Sequence, residues 1–407
     1  MQTVLITGAA SGIGRDTAML FARAGWQCVL VDYNEQALYQ LGQALRSQAS
    51  AAHVLHAIDL TDPGQIARLG DGTPALDAIL NNAGMSDASN TPLAEQVPAQ
   101  LGRLLALNLS APAAVVDACA HLLKPGARIV NVSSGAGLQA IPWRGAYSAS
   151  KAGLIAQTQA LAQARPDLCV TVLAPGFVRT ELVNGLIEAG RLQPENAVRK
   201  IPLGRMAAPA ELAQALYFLA STGAQALSGQ ILAFNGGSSI YGGSQPFAPA
   251  SFDLLPLDLP LQLEVLGGDG AAWQAVAPPH TDQPHYAACL DLSPLSCEPG
   301  SLLQAVHAAA ARFADRYTQQ ASLTVLLPPR KAGRWQDAGD DAAARMLVST
   351  LACEWGSRAL RINALEVPQD LDPEALHPLL HFVCGSAAQY LTGQTLVCRG
   401  STPKEPR

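Results

Sequence analysis

Residues 4–14 read VLITGAASGIG, a short apolar run that passes directly into a glycine-rich turn. Apolar residues recur at helical spacing immediately afterwards, at Ala18, Leu20, Phe21 and Ala24. Gly8 and Gly12 let the backbone come close to a pyrophosphate, and Gly14 lets the helix pack against the strand. The order of strand, glycine turn and helix therefore indicates a nucleotide-binding turn, in which the helix N-terminus supplies amide donors to phosphate.

Apolar runs continue along the first half of the chain and alternate with helical patterns. The runs that read as strands cover residues 28–31, 54–58, 78–80, 129–132 and 170–173. Parallel strands joined by helical crossovers form a doubly wound sheet with helices on both faces. The sequence therefore predicts an α/β fold of the Rossmann type for this half.

Asp32 ends the second strand run and lies 18 residues after Gly14. A carboxylate at this place can accept hydrogen bonds from a ribose diol, and it repels a 2′-phosphate. This favours NAD over NADP as the cofactor. Arg15 is the contrary feature, because a basic residue near the turn can meet a 2′-phosphate.

Polar and small residues follow the next two strand runs. Asp59 has two readings, which are a contact with the adenine amino group and a cap of the helix that begins near residue 62. Ala83 and Gly84 leave space for a ribose after the fourth run. The Asn82 side chain, which follows the fourth run, can hold the ends of neighbouring strands together by hydrogen bonds.

Residues 131–151 read NVSSGAGLQAIPWRGAYSASK and carry the candidate chemistry. Tyr147 and Lys151 are four residues apart, so on a helix they share one face. A phenol has a pKa near ~10 and is a poor base at neutral pH, but a nearby ammonium lowers that pKa. Ser134 follows an apolar run, which puts its hydroxyl at the carboxyl end of a strand, where ligands bind in such sheets.

Taken in order, these motifs resemble those of the classical short-chain dehydrogenase/reductase family. The resemblance covers residues 1 to about 243 and is carried by T-G-x-x-x-G-I-G at 7–14, N-N-A-G at 81–84, Asn108, the Ser134 to Tyr147 spacing of thirteen, Y-x-x-x-K, P-G-x-V-x-T at 175–180 and N-G-G at 235–237. So many motifs in the family's order make the match specific.

The resemblance implies a role for each matching residue. Tyr147 is then the catalytic acid/base, Lys151 lowers its pKa and holds the nicotinamide ribose, Ser134 positions the substrate oxygen, and Asn108 anchors a water of a proton relay. Ser133 is the less favoured of the two serines. The expected cofactor contacts are Gly8, Ser11, Gly12, Ile13, Gly14, Asp32, Asp59, Leu60, Asn82, Ala83, Gly84, Tyr147, Lys151, Pro175, Gly176, Val178 and Thr180.

The substrate-covering part is expected in residues 181–200, which contain helical stretches. Candidate pocket walls are Trp143, Leu182, Leu186 and Ile187, with plain core packing as the alternative for each. The expected reaction is hydride transfer between the nicotinamide of NAD(H) and a secondary alcohol or its ketone, such as a sugar, polyol or hydroxy acid.

Two other functions remain open from the sequence. The first is reduction of 3-oxoacyl chains on a carrier protein, against which Asp32 counts because most such enzymes use NADPH. The second is a non-catalytic cofactor-sensing or scaffold protein. The intact set of Asn108, Ser134, Tyr147 and Lys151 argues against that second function, because a protein without catalysis has no need of all four.

The bulk composition excludes several classes of partner. The chain of 407 residues has a net charge of −6 with no basic run, which argues against nucleic acid. No apolar run reaches the ~18–20 residues of a membrane span. The first strand is expected to begin near residue 3, which leaves no room for a signal or transit peptide. The eight cysteines are scattered and show no metal-binding spacing. We expect a cytoplasmic protein without a metal site.

The second half of the chain resembles a degenerate repeat of the first half. After a Gly-, Ser- and Pro-rich linker at residues 244–256, residues 351–364 align with 161–174 at an offset of 190, and residues 373–394 align with 209–230 at an offset of 164. The 26 residues lost between the two offsets fall where the first half carries its substrate-covering segment.

At the first offset, Asp337 and Asp341 stand in place of Tyr147 and Lys151. We therefore expect a catalytic domain at 1–243 and a truncated Rossmann-like α/β domain at 257–407, without catalysis or dinucleotide.

The copy keeps the helices and the final strand through which classical family members assemble as dimers or tetramers. We therefore expect residues 257–407 to act as a built-in pseudo-subunit. The resulting assembly would be a homo-oligomer, a homodimer with a pseudo-tetrameric arrangement.

Overall fold

The computed structural model describes residues 1–46, 52–86, 98–139, 141, 145–190, 192–243, 245–267, 271–298, 300–330, 337–368 and 371–399. The chain forms two compact units. The first unit consists of Met1–Arg191, Ala208–Thr222 and Ser228–Leu232, and the second unit consists of Leu192–Ala207, Gly223–Leu227 and Ala233–Arg407.

The first unit contains a seven-stranded parallel sheet. Its strands are β1 (Thr3–Thr7), β2 (Gln27–Asp32), β3 (Val54–Ala57), β4 (Leu76–Asn81), β5 (Leu123–Val132), β6 (Cys169–Leu173) and β7 (Ile231–Leu232). They lie in the order β3-β2-β1-β4-β5-β6-β7. The doubly wound Rossmann fold expected from the sequence is confirmed, and the strand order changes direction between β1 and β4.

The helices of this half are α1 (Gly12–Arg23), α2 (Glu35–Arg46), α3 (Pro63–Ile66), α4 (Pro98–Leu105), α5 (Ala111–Ala118), α6 (Gly145–Ala164), α7 (Glu181–Glu188), α8 (Pro194–Val198) and α9 (Pro209–Leu219). Of these, α8 belongs to the second unit. A π-helical turn, Ala106–Ser110, joins α4 to α5.

The stretch Pro98–Ala118 is, by length and composition alone, apolar enough to cross a membrane, a test that core helices also pass. One side of it carries Ala111, Val115 and Val116, which are buried in a core cluster with strand residues such as Ile129. The buried side therefore packs as an ordinary core helix does.

The second unit contains a parallel sheet of five strands. These are β8 (Leu261–Leu266), β9 (Tyr286–Asp291), β10 (Ala321–Leu327), β11 (Arg361–Glu366) and β12 (Thr395–Val397), in the order β12-β11-β10-β9-β8. Its helices are α10 (Ala271–Gln274), α11 (Leu302–Arg316), α12 (Asp337–Trp355) and α13 (Pro373–Cys384). The aromatic rings of Phe313 and Trp355, with centroids 5.4 Å apart, join α11 to α12 in its core.

Residues 245–256, where the sequence places a linker, form no helix or strand, but they are held in place. The Ala250 amide donates to the Gly204 carbonyl at 2.8 Å. The Gln389 side chain accepts from the Leu255 amide at 3.2 Å and donates to the Leu255 carbonyl at 2.7 Å. This part of the chain is therefore bound to the rest of the second unit.

Gly14 provides a test of the close packing between α1 and β1. A Cβ at Gly14 would overlap the Gly8 carbonyl oxygen and would lie only 2.8 Å from the Asn82 Nδ2. We expect Gly14→Ala to cost about 2 kcal/mol or more and to lower the thermal unfolding midpoint by about 4 °C or more.

Gly102→Ala is the matched control, since Gly102 lies in α4 and a Cβ there would have no neighbour within 4 Å. Alanine at this helical position is expected to leave the midpoint unchanged or to raise it slightly. Equal midpoints for the two variants would contradict the packing argument.

Candidate active site

The glycine turn is built as the sequence predicts. Gly8 and Gly12 have φ angles of +64° and +51°, a left-handed conformation that favours glycine. Helix α1 begins at Gly12. Ser11 precedes the helix and is exposed in extended conformation, and Ile13, the second residue of the helix, is half-buried. A Cβ at Gly8 would lie 2.8 Å from the Ala83 Cα, so the turn passes directly over the end of β4.

Asp32 stands against this turn at the end of β2. Its Oδ2 accepts a hydrogen bond from the Ala10 amide at 3.0 Å, and its Oδ1 accepts one from the Asn34 amide at 3.0 Å. Arg15, the feature that counted for NADP, forms an ion pair with Glu181. The structure thus brings Asp32 to the glycine turn and directs Arg15 toward a carboxylate.

Asp59 closes a turn and does not cap a helix. Its Oδ1 accepts from both the backbone amide and the hydroxyl of Thr61 at 2.8 Å, and these bonds lower the pKa of the carboxyl. The cap of α3 is Asp62, whose Oδ1 accepts from the Gly64 amide. The capping alternative for Asp59 is therefore wrong. The Leu60 side chain is buried in the core, so only its backbone can face a ligand.

Asn82 ties two strand ends together, as the sequence indicated. Its Nδ2 donates to the carbonyls of Thr7 and Gly8 at 3.0 and 3.1 Å. The backbone amide of Ala83 donates to the Thr7 hydroxyl at 3.0 Å. These bonds hold the ends of β1 and β4 side by side at the point where the strand order changes direction.

Asn108 is fully buried within the π-helical turn. Its Oδ1 accepts from the Met85 amide at 2.9 Å, and its Nδ2 donates to the Met85 carbonyl at 2.8 Å and to the Ser150 hydroxyl at 3.2 Å. The Ser150 hydroxyl in turn donates to the Tyr147 carbonyl at 2.8 Å. Asn108 therefore links the segment after β4 to the start of α6, and its role in holding a water stays a prediction.

Lys151 is buried on α6 with 4% of its surface exposed. Its Nζ donates to the Val132 carbonyl at 2.9 Å and lies 6.0 Å from the centroid of the Tyr147 ring. Burial lowers the pKa of the Lys151 ammonium to about 8, so the group is still mostly protonated at neutral pH. A Cβ at Gly84 would lie 3.2 Å from the Nζ, which places the N-N-A-G segment beside the ammonium.

The two serines after β5 have different roles. Ser133 is buried, and its hydroxyl donates to the Lys151 carbonyl at 2.8 Å, so it fastens α6 to the sheet. The Ser134 Oγ accepts from the Ala136 amide at 3.1 Å, which leaves its own hydrogen for another acceptor. This geometry favours Ser134 as the residue that meets a substrate oxygen.

The segment after β6 runs between the β5 loop and the glycine turn. The Pro175 carbonyl accepts from the Gly135 amide at 2.8 Å, half-buried Gly176 follows it, and Val178 is buried. A Cβ at Gly12 would lie 3.1 Å from the Thr180 methyl carbon. The P-G-x-V-x-T segment and the glycine turn, far apart in the chain, thus meet at one edge of the sheet.

The expected pocket walls are only partly described. Leu186 and Ile187 are half-buried on α7. Trp143 and the side chain of Leu182 lie outside the described residues.

Sequence reasoning missed Glu181, the first residue of α7. Its Oε2 accepts from the Gly12 amide at 3.1 Å, at the N-terminus of α1. Its position directly after the P-G-x-V-x-T motif was the available signal, because Thr180 was already expected at the cofactor.

Comparison with known proteins gives several similarities. A family model described as enoyl-(acyl carrier protein) reductase matches residues 8–239. The uncharacterized short-chain type dehydrogenase/reductase y4vI of Sinorhizobium fredii is 39% identical over 242 residues, which are 58% of this chain and 43% of that protein. The chain thus spans less than half the length of this relative.

Two further similarities cover nearly the whole of the other protein. The 3-oxoacyl-acyl-carrier-protein reductase FabG of Rickettsia prowazekii is 34% identical over 240 residues, which are 58% of this chain and 96% of FabG. A solved structure described as an NAD(P) dependent gluconate 5-dehydrogenase from Beutenbergia cavernae with bound NADP is 30% identical, with a TM-score of 0.52. It covers 58% of this chain and 96% of that chain.

The burial of Lys151 leads to a prediction about the free energy of unfolding. Its pKa falls from 10.5 to about 8 on folding, so below pH 8 the folded protein holds a buried ammonium at a cost of about 3 kcal/mol. Between pH 8 and 10.5 the unfolded chain binds more protons than the folded one, and the free energy of unfolding rises with pH. Lys151→Met removes both effects, so we expect it to be about 1–3 kcal/mol more stable at pH 7, with a smaller gain above pH 8.

Denaturant unfolding of both proteins at several pH values measures this difference. Lys200→Met, at an exposed position, is the control and should show no gain. A Lys151→Met variant that is less stable than the unchanged protein at pH 7 would contradict the burial cost.

Proposed function

The chain belongs to the short-chain dehydrogenase/reductase family, and we propose that it is an NAD(H)-dependent oxidoreductase that interconverts a secondary alcohol and its ketone. One observation carries the proposal. The buried Lys151 ammonium lies 6.0 Å from the Tyr147 ring, and the loop with Ser134 is fastened to the same helix through Ser133. These are the groups needed to move a proton at a substrate oxygen.

The residues at the glycine turn fit a dinucleotide. Gly8 and Gly12 leave space that a Cβ would fill, and the Gly12 amide already holds one anionic oxygen, that of Glu181. Asp32 stands beside the turn as a carboxylate acceptor for a ribose. When bound, a nicotinamide dinucleotide supplies or accepts the hydride.

The chain's own residues handle the proton. Tyr147 gives its phenolic proton to the substrate oxygen in reduction and takes it back in oxidation. The positive charge of Lys151 near the ring stabilises the phenolate, and Ser134 donates a hydrogen bond that orients the same substrate oxygen. Because Lys151 has a pKa of about 8, this support weakens at higher pH.

The preference for NAD over NADP is inferred from the Asp32 carboxylate, which stands at the glycine turn and repels a 2′-phosphate. The similar gluconate 5-dehydrogenase structure has NADP bound, which is a property of that protein.

The second candidate is reduction of a 3-oxoacyl group on a carrier protein. It is favoured by the 34% identity with FabG of Rickettsia prowazekii. Asp32 counts against it, because reductases of this kind mostly use NADPH. A 3-oxoacyl thioester as substrate separates this candidate from a simple alcohol dehydrogenase.

A direct assay tests the proposal. We expect NADH formation from NAD⁺ with one or more members of a panel of sugars, polyols, hydroxy acids and secondary alcohols. Tyr147→Phe should lower turnover by about 10³-fold while NADH binding is retained, because only the proton is lost. Tyr39→Phe, an exposed phenol on α2, is the control and should keep full activity.

Two results would count against the proposed function. Turnover with NADP⁺ alone would overturn the argument from Asp32 and favour the carrier-protein reductase. Tight NADH binding without turnover of any substrate in the panel would favour the cofactor-sensing role.

We further propose that residues 257–407 are a truncated, non-catalytic copy of the domain at 1–243. In support, the order β8-β9-β10-β11-β12 corresponds to β1-β4-β5-β6-β7 of the first sheet with β2 and β3 left out. Between β8 and β9 the described residues contain only the short helix α10. The missing part is the one that carries Asp32 in the first sheet.

By strand order β9 takes the place of β4, so Asp291 corresponds to Asn81. Residues 291–293 (DLS) also resemble residues 59–61 (DLT), and both stretches form the same turn, in which Asp291 Oδ1 accepts from the Ser293 amide at 2.9 Å as Asp59 Oδ1 does from the Thr61 amide. In the place of Lys151, Asp341 forms an ion pair with Arg345.

The pseudo-subunit role is supported by contacts within the second unit. That unit includes residues 192–207 and 233–243 together with the C-terminal part of the chain. The Tyr390 hydroxyl donates to the Arg205 carbonyl at 2.9 Å, and the Tyr390 carbonyl accepts from the Gly236 amide at 3.1 Å. Residues of the proposed copy thus contact residues 192–207 and 233–243, and we propose that they take the place of a partner subunit there, in a homodimer with a pseudo-tetrameric arrangement.

Tyr390 provides the test in the full-length chain. Tyr390→Ala removes a fully buried ring that stacks on the Arg205 guanidinium at 4.9 Å, and we expect a loss of about 3 kcal/mol and a raised KM for substrate. Tyr390→Phe keeps the ring, and its loss should be about 1 kcal/mol. Thermal unfolding, steady-state kinetics and light scattering measure these effects. An unchanged KM and an unchanged assembly in Tyr390→Ala would contradict the role.

A further inference from the structure

Glu181 brings a carboxylate to the N-terminus of α1. It is the first residue of α7, yet its Oε2 accepts a hydrogen bond from the Gly12 amide at 3.1 Å. Its Oε1 forms an ion pair with the Arg15 guanidinium. Glu181 and Gly12 are 169 positions apart in the chain, so this contact exists only in the folded protein.

Helix α1 leaves its first amides available to an anion. It has no acidic residue in its first turn, and Ser11 at its N-cap makes no side-chain hydrogen bond to the helix. The first amides of a helix have no partner within it and lie at the positive end of its dipole. The carboxylate of Glu181 therefore satisfies a donor that α1 does not satisfy itself.

Thr180 fixes the beginning of α7 at this position. Its Oγ1 accepts from the Val183 amide at 3.3 Å and so caps α7. Its methyl carbon would lie 3.1 Å from a Cβ at Gly12, which means that the first residues of α7 pack directly on the glycine turn. A ligand that binds at the glycine turn therefore also contacts or displaces the first residues of α7.

We propose that Glu181 occupies, in the unliganded protein, the anion position that a dinucleotide pyrophosphate takes when it binds, and that its displacement frees the start of α7. This inference rests on the proposed function, because the pyrophosphate is that of NAD(H). The carboxylate and the pyrophosphate cannot share the Gly12 amide, since both need the same N–H and their charges repel each other. Arg15 can pair with either anion.

The competition has two consequences for a dehydrogenase. Glu181 weakens the binding of the dinucleotide and speeds its release. It also couples cofactor exchange to α7, the helix that the sequence places over the substrate. Glu181 is thus a positioning residue, which acts through the turn and through α7.

The test measures binding to the full-length protein. In Glu181→Gln the side chain keeps its size and loses its charge, and Glu188→Gln, at the exposed far end of α7, is the matched control. The ligands are NADH and ADP-ribose, which contain the pyrophosphate, and adenosine, which does not. Titration calorimetry gives the Kd values, and stopped-flow displacement gives the rate of NADH release.

We expect Glu181→Gln to lower the Kd for NADH and for ADP-ribose by about 3- to 30-fold, with slower NADH release. The Kd for adenosine should be unchanged in Glu181→Gln. Glu188→Gln should bind all three ligands as the unchanged protein does. Glu181→Asp keeps the negative charge, so its Kd for NADH should stay close to that of the unchanged protein.

Three outcomes would overturn the inference. Equal or weaker NADH binding in Glu181→Gln would show that Glu181 does not compete, while the proposed function would stand. An equal gain for adenosine would place the effect away from the pyrophosphate. Failure of the unchanged protein to bind NADH or ADP-ribose would overturn the proposed function together with the inference.

Discussion

The carboxyl edge of the first sheet depends on how closely the backbone of α1 approaches the end of β1. The absence of a side chain at Gly14 lets the Gly8 carbonyl and the Asn82 amide group reach the helix. Asn82 can then bond to the carbonyls of Thr7 and Gly8 and hold β4 beside β1. Ligands bind in open α/β sheets where the strand order changes direction, and this set of contacts forms that place.

Lys151 shows how the same edge combines stability with chemistry. An ammonium inside the protein is unfavourable, which is why burial lowers its pKa to about 8. The fold accepts it because the Val132 carbonyl takes a hydrogen bond from it and because Ser133 fastens the helix that carries it. The desolvated charge beside the Tyr147 ring acts more strongly than a hydrated one, and in the proposed reaction this strengthens its stabilisation of the phenolate.

The second unit has its own parallel sheet, and a buried ion-pair network lies at the end of its strand β11. Arg345, almost fully buried, forms ion pairs with Asp341 and with Glu366, the latter at 2.7 Å. Buried charges need such partners, and removal of one partner is costly. In the proposed copy, Asp341 and Glu366 stand where the first domain has Lys151 and Gly176.

The sequence by itself determined the class of fold and the glycine turn, which follow from apolar periodicity and motif spacing that can be read locally. The set of Asn108, Ser134, Tyr147 and Lys151 was implied by the family resemblance, and its catalytic role stays a prediction. The tertiary structure decided that Asp59 does not cap α3, which of the two serines is buried, and what Asn108 bonds to.

It also decided the position of Glu181 at α1 and the binding of residues 245–256 within the second unit. The physical reason is that such contacts join residues distant in the chain. They depend on how helices and strands pack, and no local pattern records that packing.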